Sequence, residues 1–346
     1  MHIDFDCFFA AVSIRDQPQH ADKPVAVSHG SSDASEIASC NYIARGFGVK
    51  NGMWMSTARK LCPGIIVLPY EFAKYEAASR EFYDVVLGLN ALKVQAVSID
   101  EVLVDVTNLI NDSTHPDIDG EETRALDMAT RIRDRCRERT NCEVSVGIGP
   151  NILLAKLALR AAKPAGQYIL RTSTTASFLA TKNVRDLPGI GPKTSELILR
   201  SFGTDTIADI RDIKASRLAA VLGPKTGQRV YELCRGIDPT PVGAANEVER
   251  KSYSINVNWG VRFISADQPE RFVKGLCEEL AKRMKEDAVV GGSLVVTIAA
   301  RHPQAERRTE KWLGCGKTES MARSVRLVEP TAEAEVMGRV AARVMR

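Results

Sequence analysis

His2-Ile3-Asp4-Phe5-Asp6, at the start of the chain, alternates polar and apolar residues as a half-buried β-strand does. That period sets Asp4 and Asp6 on one face and Phe5 on the other. A second stretch complements it. Val94-Gln95-Ala96-Val97-Ser98-Ile99-Asp100-Glu101-Val102-Leu103-Val104-Asp105-Val106 is rich in β-branched residues, keeps a two-residue period, and reads as a hairpin with Asp100 and Glu101 near its bend. Paired beside the first strand, the hairpin would bring Asp4, Asp100 and Glu101 together at a sheet edge. Carboxylate oxygens with positions left open for phosphate and water suit Mg²⁺, and two such ions clamp the attacking and leaving oxygens of an in-line displacement. Either motif alone reads more readily as solvent-facing strand acids or a polar turn; together, on strands and in this order, they point to a metal site.

Working outward, Phe8 to Ile14 continues as a helix. Residues 20–70 are broken by Pro24, Gly30, Gly46, Gly48, Gly52, Pro63, Gly64 and Pro69 into a small, turn-rich unit. A helix is predicted from Glu71 to Leu89 with Phe72, Tyr75, Phe82 and Val86 inward, and a charged one over 121–139. A strand follows over Cys142–Ile148, then a helix over Asn151–Lys163 that Pro164 and Gly166 end. The order β, α, β-hairpin, α, β, α gives an α+β fold with a helix-backed antiparallel sheet. Residues 166–242 change character to short helices punctuated by Gly-Pro, with Gly-Pro-Lys-Thr at 191–194 and again at 223–226. After a linker at Val242–Glu249, a separate α+β domain is predicted: strand 252–263, helix 267–287, strands 294–300, 307–314 and 320–328, and helix 331–345.

The totals set bounds on this picture. A chain of 346 residues forms two to four compact units. No apolar run approaches a membrane span, and MHIDFDCFF lacks the basic start of a signal peptide, so no membrane partner is expected. The eight cysteines form no Cys-x-x-Cys pair and no usual zinc spacing, which favours reduced, buried thiols and a cytosolic or nuclear compartment. Net charge is +4, but it is unevenly spread. Residues 1–120 hold 9 Lys and Arg against 16 Asp and Glu; residues 151–200 hold 8 against 2, and residues 251–346 hold 17 against 12. An acidic first third followed by basic segments suits a metal site joined to a polyanion-binding surface.

Ser39, Tyr42 and Arg45 fall at three-residue steps, predicted as one face of a helical turn where a hydroxyl, a phenol and a guanidinium form a phosphate clamp. A capped helix with a surface arginine is the plainer alternative. On the 151–163 helix Lys156, Arg160 and Lys163 share a basic face, either solvated or, at Lys163, neutralising phosphate. Phe8 and Phe9 follow the first acids closely and serve either the core or as a ring beside a sugar, excluding a 2′-hydroxyl. Leu187-Pro188-Gly189-Ile190-Gly191-Pro192-Lys193-Thr194 places glycines before a helix expected to open near Thr194. Backbone can approach a phosphate there, and the helix N-terminus supplies N–H groups without reading base sequence. Gly223-Pro224-Lys225-Thr226-Gly227-Gln228 repeats the arrangement before a helix expected over 228–235.

Taken as a set, Asp4-Phe5-Asp6, Asn41-Tyr42-x-x-Arg45 with FGVKNGM, Ser98-Ile99-Asp100-Glu101, VSVGI with Ala162-Lys163-Pro164, and the LPGIG turn resemble the Y-family translesion DNA polymerases over nearly the whole chain. Within that family DFDCFFAAVSIR, EIASCNYIARGFGVKNGMWM and VNWGVRF are most similar to the Rev-type deoxycytidyl transferase. The resemblance implies a right-hand polymerase: palm (1–17 and 74–165), fingers (18–73), helical thumb (166–242) and C-terminal little finger (250–346). It implies Asp4, the Phe5 carbonyl, Asp100 and Glu101 as ligands of two Mg²⁺ ions, for which Mn²⁺ can substitute, with Asp4, Asp100 and Glu101 catalytic. It implies Ser39, Tyr42, Arg45, Asn51 and Lys163 around an incoming dNTP, with Phe9 as sugar gate and Phe8 beside it. Gly189, Gly191, Lys193, Thr194, Gly223, Lys225, Thr226 and Gly227 would follow the DNA backbone, and Leu313 and Gly314 would lie in a loop holding a displaced template guanine.

The implied activity is template-dependent nucleotidyl transfer in the nucleus on primed template DNA, inserting dCMP opposite G or damaged sites. Other replication and translesion proteins are the expected partners, through flanks outside this sequence. The arginine that pairs with dCTP lies just upstream of the palm in the Rev-type enzyme, and the palm strand here starts at residue 2, so the chain is expected to be a fragment or incomplete gene model. The other readings are a general lesion-bypass polymerase, a catalytically idle DNA-binding scaffold, and a metal-dependent nucleotide cyclase, in which the Gly-Pro-Lys-Thr turns and C-terminal domain would have no use.

Overall fold

A computed structural model describes residues 1–111, 118–243, 251–257, 260–265, 267–305 and 317–345, with backbone only at 118 and 119. Two compact units form, Met1–Glu247 and Val248–Arg346. No helix among the described residues is long and apolar enough to cross a membrane.

In the first unit the elements run β1 (His2–Phe5), α1 (Phe8–Arg15), β2 (Val25–Ser28), β3 (Ile37–Cys40), α2 (Tyr42–Gly46), α3 (Met55–Leu61), β4 (Ile66–Leu68), α4 (Phe72–Leu87), β5 (Lys93–Ala96), β6 (Glu101–Asp105), α5 (Thr107–Ile110), α6 (Ile118–Thr140), β7 (Val144–Ile148), α7 (Ile152–Ala162) and β8 (Gln167–Ile169). Five strands form one sheet in the order β5-β6-β1-β7-β8. The predicted hairpin is β5–β6, and it does pair with β1. β1 is nevertheless the central strand, so its acids meet neighbours at the ends of inner strands rather than at a sheet edge. Its backbone is paired on both sides, with β6 and with β7, and Ile3 and Phe5 are buried on one face.

That apolar face, with Val102, Val104, Val144 and Val146, packs under α4 and α6 through Tyr75, Phe82, Val86, Ala129 and Ile132. Phe72, expected inward, is 61% exposed and stacks on Tyr70, because it opens α4 a turn before the helix reaches the core. The opposite face takes α7. A Cβ on Gly147 would stand 2.2 Å from the Leu159 nitrogen and 2.3 Å from the Ala155 oxygen, so only glycine lets α7 lie this close to β7. β2, β3 and β4 make a second, three-stranded sheet with its own core of Ala26, Ile37, Ala44, Val49 and Met55.

Helices α8 (Thr172–Ala180), α9 (Pro192–Phe202), α10 (Ile207–Arg211), α11 (Ala215–Leu222) and α12 (Pro224–Leu233) follow. Their core, Leu179, Leu187, Ile198, Leu218 and Val230, is shared with Leu153, Leu154 and Leu157 of α7. Both Gly-Pro helices open earlier than the sequence suggests, at Pro192 and Pro224. Proline fits the first helical position, where its missing N–H costs nothing. Starting α12 there turns Gly227 inward: it is buried, and an added Cβ would meet the Ala219 backbone at 2.5 Å. Gly227 therefore packs α12 on α11 and does not lie on the outer surface where a phosphate contact was expected.

The second unit contains α13 (Gln268–Glu286), β9 (Gly291–Arg301), β10 (Thr318–Thr331) and α14 (Ala334–Met345). β9 and β10 pair antiparallel, and Cys277, Ala281, Met284, Met337 and Ala341 form the core with Leu294 and Val296. The strand expected over 252–263 is not formed among the described residues there. Alternation supplies an apolar side, but a strand also needs a hydrogen-bonded neighbour. The strand expected over 307–314, the loop with Leu313 and Gly314, and most of the 242–249 linker lie outside the described residues.

Candidate active site

Register fixes the acids. In the β1–β6 ladder Asp4 stands directly opposite Glu101, so their side chains share a face of the sheet, and the Phe5 N–H donates to the Asp100 carbonyl at 3.1 Å. On the other side Asp4 stands opposite Ser145. Helix α4 pins the loop carrying Asp100: Ser79 Oγ donates to the Ile99 carbonyl at 2.5 Å, and Tyr83 Oη donates to the Ser98 carbonyl at 2.6 Å and the Glu101 carbonyl at 3.1 Å. Ser98 Oγ in turn donates to Asp100 Oδ1 at 2.5 Å.

Each acid is held differently. His2 Nε2 lies 2.5 Å from Glu101 Oε1. Burial pushes the imidazole below its ordinary pKa, and the hydrogen bond with His2 holds Glu101 below the usual carboxylate range against the opposing effect of burial. His2 Nδ1 is buried without a hydrogen-bond partner. Asp4 is pushed up to about 6, first by its own burial and then by the neighbouring charges of Asp100 and Glu101; the Lys163 ammonium opposes the rise without overcoming it.

Lys163 caps the C-terminal end of α7. Its Nζ binds Asp4 Oδ1, donates to the Phe5 carbonyl at 2.8 Å and reaches Asp6 Oδ1 at 3.2 Å. Asp6, 4% exposed, also accepts from Tyr42 Oη at 3.1 Å, Ser145 Oγ at 2.9 Å and the Ala165 N–H at 2.6 Å. The sequence reading gave Asp6 and His2 no role in the site. The Asp-x-Asp spacing and the placement of His2 on the Asp4 face of β1 were the available signals.

The residues expected to form a phosphate clamp lie on two elements, not one. Ser39 lies in β3, a strand paired with β2, because Asn41 interrupts the helical path and caps α2 through its side chain at 3.0 Å from the Ala44 nitrogen. Tyr42 and Arg45 do share a face of α2: the guanidinium lies 4.6 Å from the Tyr42 ring centroid, and Arg45 Nε donates to the Cys40 carbonyl at 3.1 Å. Asn51 Oδ1 accepts the Cys40 N–H at 3.2 Å, fixing the strand end from which Tyr42 departs. Phe8 is 4% exposed against Phe5 and Tyr75, so it is a core ring rather than one facing a nucleotide. Adjacent residues on a helix point apart, and Phe9, half-buried and stacked on Tyr75 at 4.4 Å, is the one left at the surface.

Among the described residues, no three His, Cys, Asp or Glu side chains are gathered as a cation site. The Asp4 carboxylate and Phe5 carbonyl instead converge on the Lys163 ammonium, beside Glu101. This all-oxygen donor set, already holding one cation, fits a hard divalent ion.

Away from the acids, Gly189 and Gly223 take positive φ (88° and 82°) ahead of α9 and α12. Gly191 caps α9, and Lys193, Lys225 and Thr226 are exposed in the first turns, with Thr194 half-buried. A helix start carrying lysine and free N–H groups accepts phosphate.

Residues 3–160 match the impB/mucB/samB family, residues 185–238 the DNA polymerase-iota thumb domain, and residues 250–346 the impB/mucB/samB C-terminal domain. The DNA polymerase IV of Ralstonia nicotianae is 34% identical over 285 residues, covering 82% of this chain and 76% of its own. This chain belongs to the Y-family DNA polymerases. The DNA repair protein rev1 of Schizosaccharomyces pombe is 42% identical over 324 residues, and that of Arabidopsis thaliana 37% over 348. These matches take in 94% and 98% of this Y-family chain but only 33% and 30% of the relatives, so it spans about a third of their length. A Y-family DNA polymerase chimera shares the fold, with a TM-score of 0.74 at 24% identity over 99% of this chain and 92% of the chimera.

Proposed function

We propose that this chain is a template-directed DNA nucleotidyl transferase of translesion synthesis, inserting dCMP opposite G or damaged template positions and acting in the nucleus. The observation that carries the reading is the ladder-fixed pair Asp4–Glu101, with Asp100 adjoining, beside a lysine and the Tyr42–Arg45 face. Residues 1–17 and 74–165 serve as palm, 18–73 as fingers, 166–242 as thumb and 250–346 as little finger. Asp4, the Phe5 carbonyl, Asp100 and Glu101 would hold two Mg²⁺ ions, or Mn²⁺ in their place. Such ions, when bound, neutralise the charge that develops as the primer 3′-hydroxyl displaces pyrophosphate.

The chain's own residues orient the reactants. Arg45, Tyr42 and Lys163 bind the triphosphate, with Ser39 and Asn51 building the strand end that presents them. Phe9, braced by Tyr75, occupies the space a 2′-hydroxyl would need. His2 holds the Glu101 carboxylate in place and favours its ionised form. The first turns of α9 and α12 hold primer-template backbone through Lys193, Thr194, Lys225 and Thr226. Selectivity for dCTP and the partner proteins are proposed on the resemblance to the deoxycytidyl transferase.

Primer extension with Mg²⁺ and each dNTP singly tests the assignment. Preferential dCTP addition opposite G and opposite an abasic site supports it. Equal use of the four nucleotides according to template points to a general bypass polymerase, and absence of turnover to a scaffold. Asp100→Ala abolishes extension while primer-template binding largely survives; extension within tenfold of the unmodified chain defeats the catalytic assignment.

A further inference from the structure

Lys163 has two separate sets of partners on offer. The proposed role sets it on a triphosphate; the structure sets it on the proposed metal ligands themselves, at Asp4 Oδ1 and the Phe5 carbonyl. One ammonium cannot fill both positions, and a divalent ion cannot take both those oxygens while the ammonium remains. We infer that Lys163 is a resident counter-cation that opposes divalent-ion binding until nucleotide arrives, and that the triphosphate draws it off the acids as the ion enters. This rests on the metal-site reading above and deepens it.

The surrounding geometry supports a pivot in place of a release into solvent. Asp6 Oδ1, 3.2 Å from Nζ, is shared with Tyr42 Oη at 3.1 Å, and Tyr42 carries Arg45 over its ring. Asp6 itself is pinned by Ser145 Oγ and the Ala165 N–H and is nearly fully buried, so it does not follow the lysine. The ammonium therefore leaves Asp4 while staying beside a fixed carboxylate that borders the Tyr42–Arg45 face. A lysine stem anchored at the end of α7 sweeps such an arc with no backbone change. Without nucleotide Asp4 and Asp6 keep a neutralising partner; with it, the positive charge moves to where the phosphates are.

The test uses the full chain and reads binding, not turnover. Mn²⁺ affinity is measured by electron paramagnetic resonance without nucleotide, then dCTP affinity is measured in saturating Mn²⁺, for the unmodified chain, Lys163→Met and Asp4→Asn. Removing a competing charge at contact range is worth about tenfold even with solvent screening. Lys163→Met is thus expected to bind Mn²⁺ about tenfold more tightly alone and to bind dCTP about tenfold more weakly, an inversion that a lysine serving only the triphosphate does not give. Unchanged or weaker Mn²⁺ binding by Lys163→Met, with both variants folded, overturns the inference while leaving the metal site intact. Unchanged Mn²⁺ binding by Asp4→Asn overturns the site reading beneath it. Lys163→Ala repeats the measurement should the methionine variant not fold.

Discussion

Replacing Asp4 with asparagine is expected to abolish primer extension and to make the metal-free protein more stable. The Asp4 carboxyl titrates at about 6 in the folded chain against a reference of 3.8. A rise of about two units corresponds to about 3 kcal/mol against folding at neutral pH, at about 1.4 kcal/mol per unit. The side chain is 22% exposed, so solvent screening leaves about 1–2 kcal/mol. Asparagine removes that penalty without orphaning Lys163, which keeps the Phe5 carbonyl and Asp6.

The pH dependence follows from the direction of the shift. Between the two values the folded chain still holds a proton that the unfolded chain has released, so wild-type stability falls as pH rises from 3.8 through about 6. The advantage of Asp4→Asn is therefore full above about pH 6, shrinks through that window and vanishes below about pH 4. Urea unfolding in EDTA at several pH values, following the transition of the first unit, measures it as a shift in midpoint at constant slope. A variant that is equally or less stable than wild type near neutral pH would show that burial and the flanking acids do not oppose ionisation of Asp4.

Further outcomes are expected elsewhere in the molecule. His2→Ala frees the Glu101 carboxylate and should lower kcat about tenfold with primer-template affinity unchanged, since the lost bond is charge-assisted and worth about 1.5 kcal/mol; steady-state kinetics check it. Gly227→Ala drives a methyl into the Ala219 backbone and should destabilise the α11–α12 packing by about 1–3 kcal/mol, visible as a lower melting temperature. Lys193→Ala and Lys225→Ala should each weaken DNA binding across all sequences alike and reduce the slope of log affinity against log salt by about one; a sequence-dependent loss would contradict backbone contact.

Much of this was legible in the sequence because short-period patterns carry it. Two-residue alternation located β1 and the β5–β6 hairpin, and with them the acids; the resemblance then supplied the residues expected around them. What alternation does not encode is which strand lies inside a sheet, and β1 is central, between two strands that are both distant in the chain. Three-residue spacing misled at Ser39, where Asn41 begins a helix that the count had started too early. At Gly227 composition suggested a phosphate turn, but the proline at the first helical position had already begun the helix and turned the glycine inward. The roles of His2 and Asp6 depend on partners about a hundred residues or more away, Glu101 and Ser145, which no local pattern discloses.

The ladder between β1 and β6 acts as a ruler with a step of one residue. Side chains alternate, so a single residue gained or lost within either strand would turn Asp4 or Glu101 toward the greasy layer under α4 and α6. The nine positions of the two strands are thus fixed against insertion or deletion, and so is the short connection with Asp100 that α4 pins. Anyone grafting the centre onto another scaffold must carry over the hydrogen-bonded pair of strands whole.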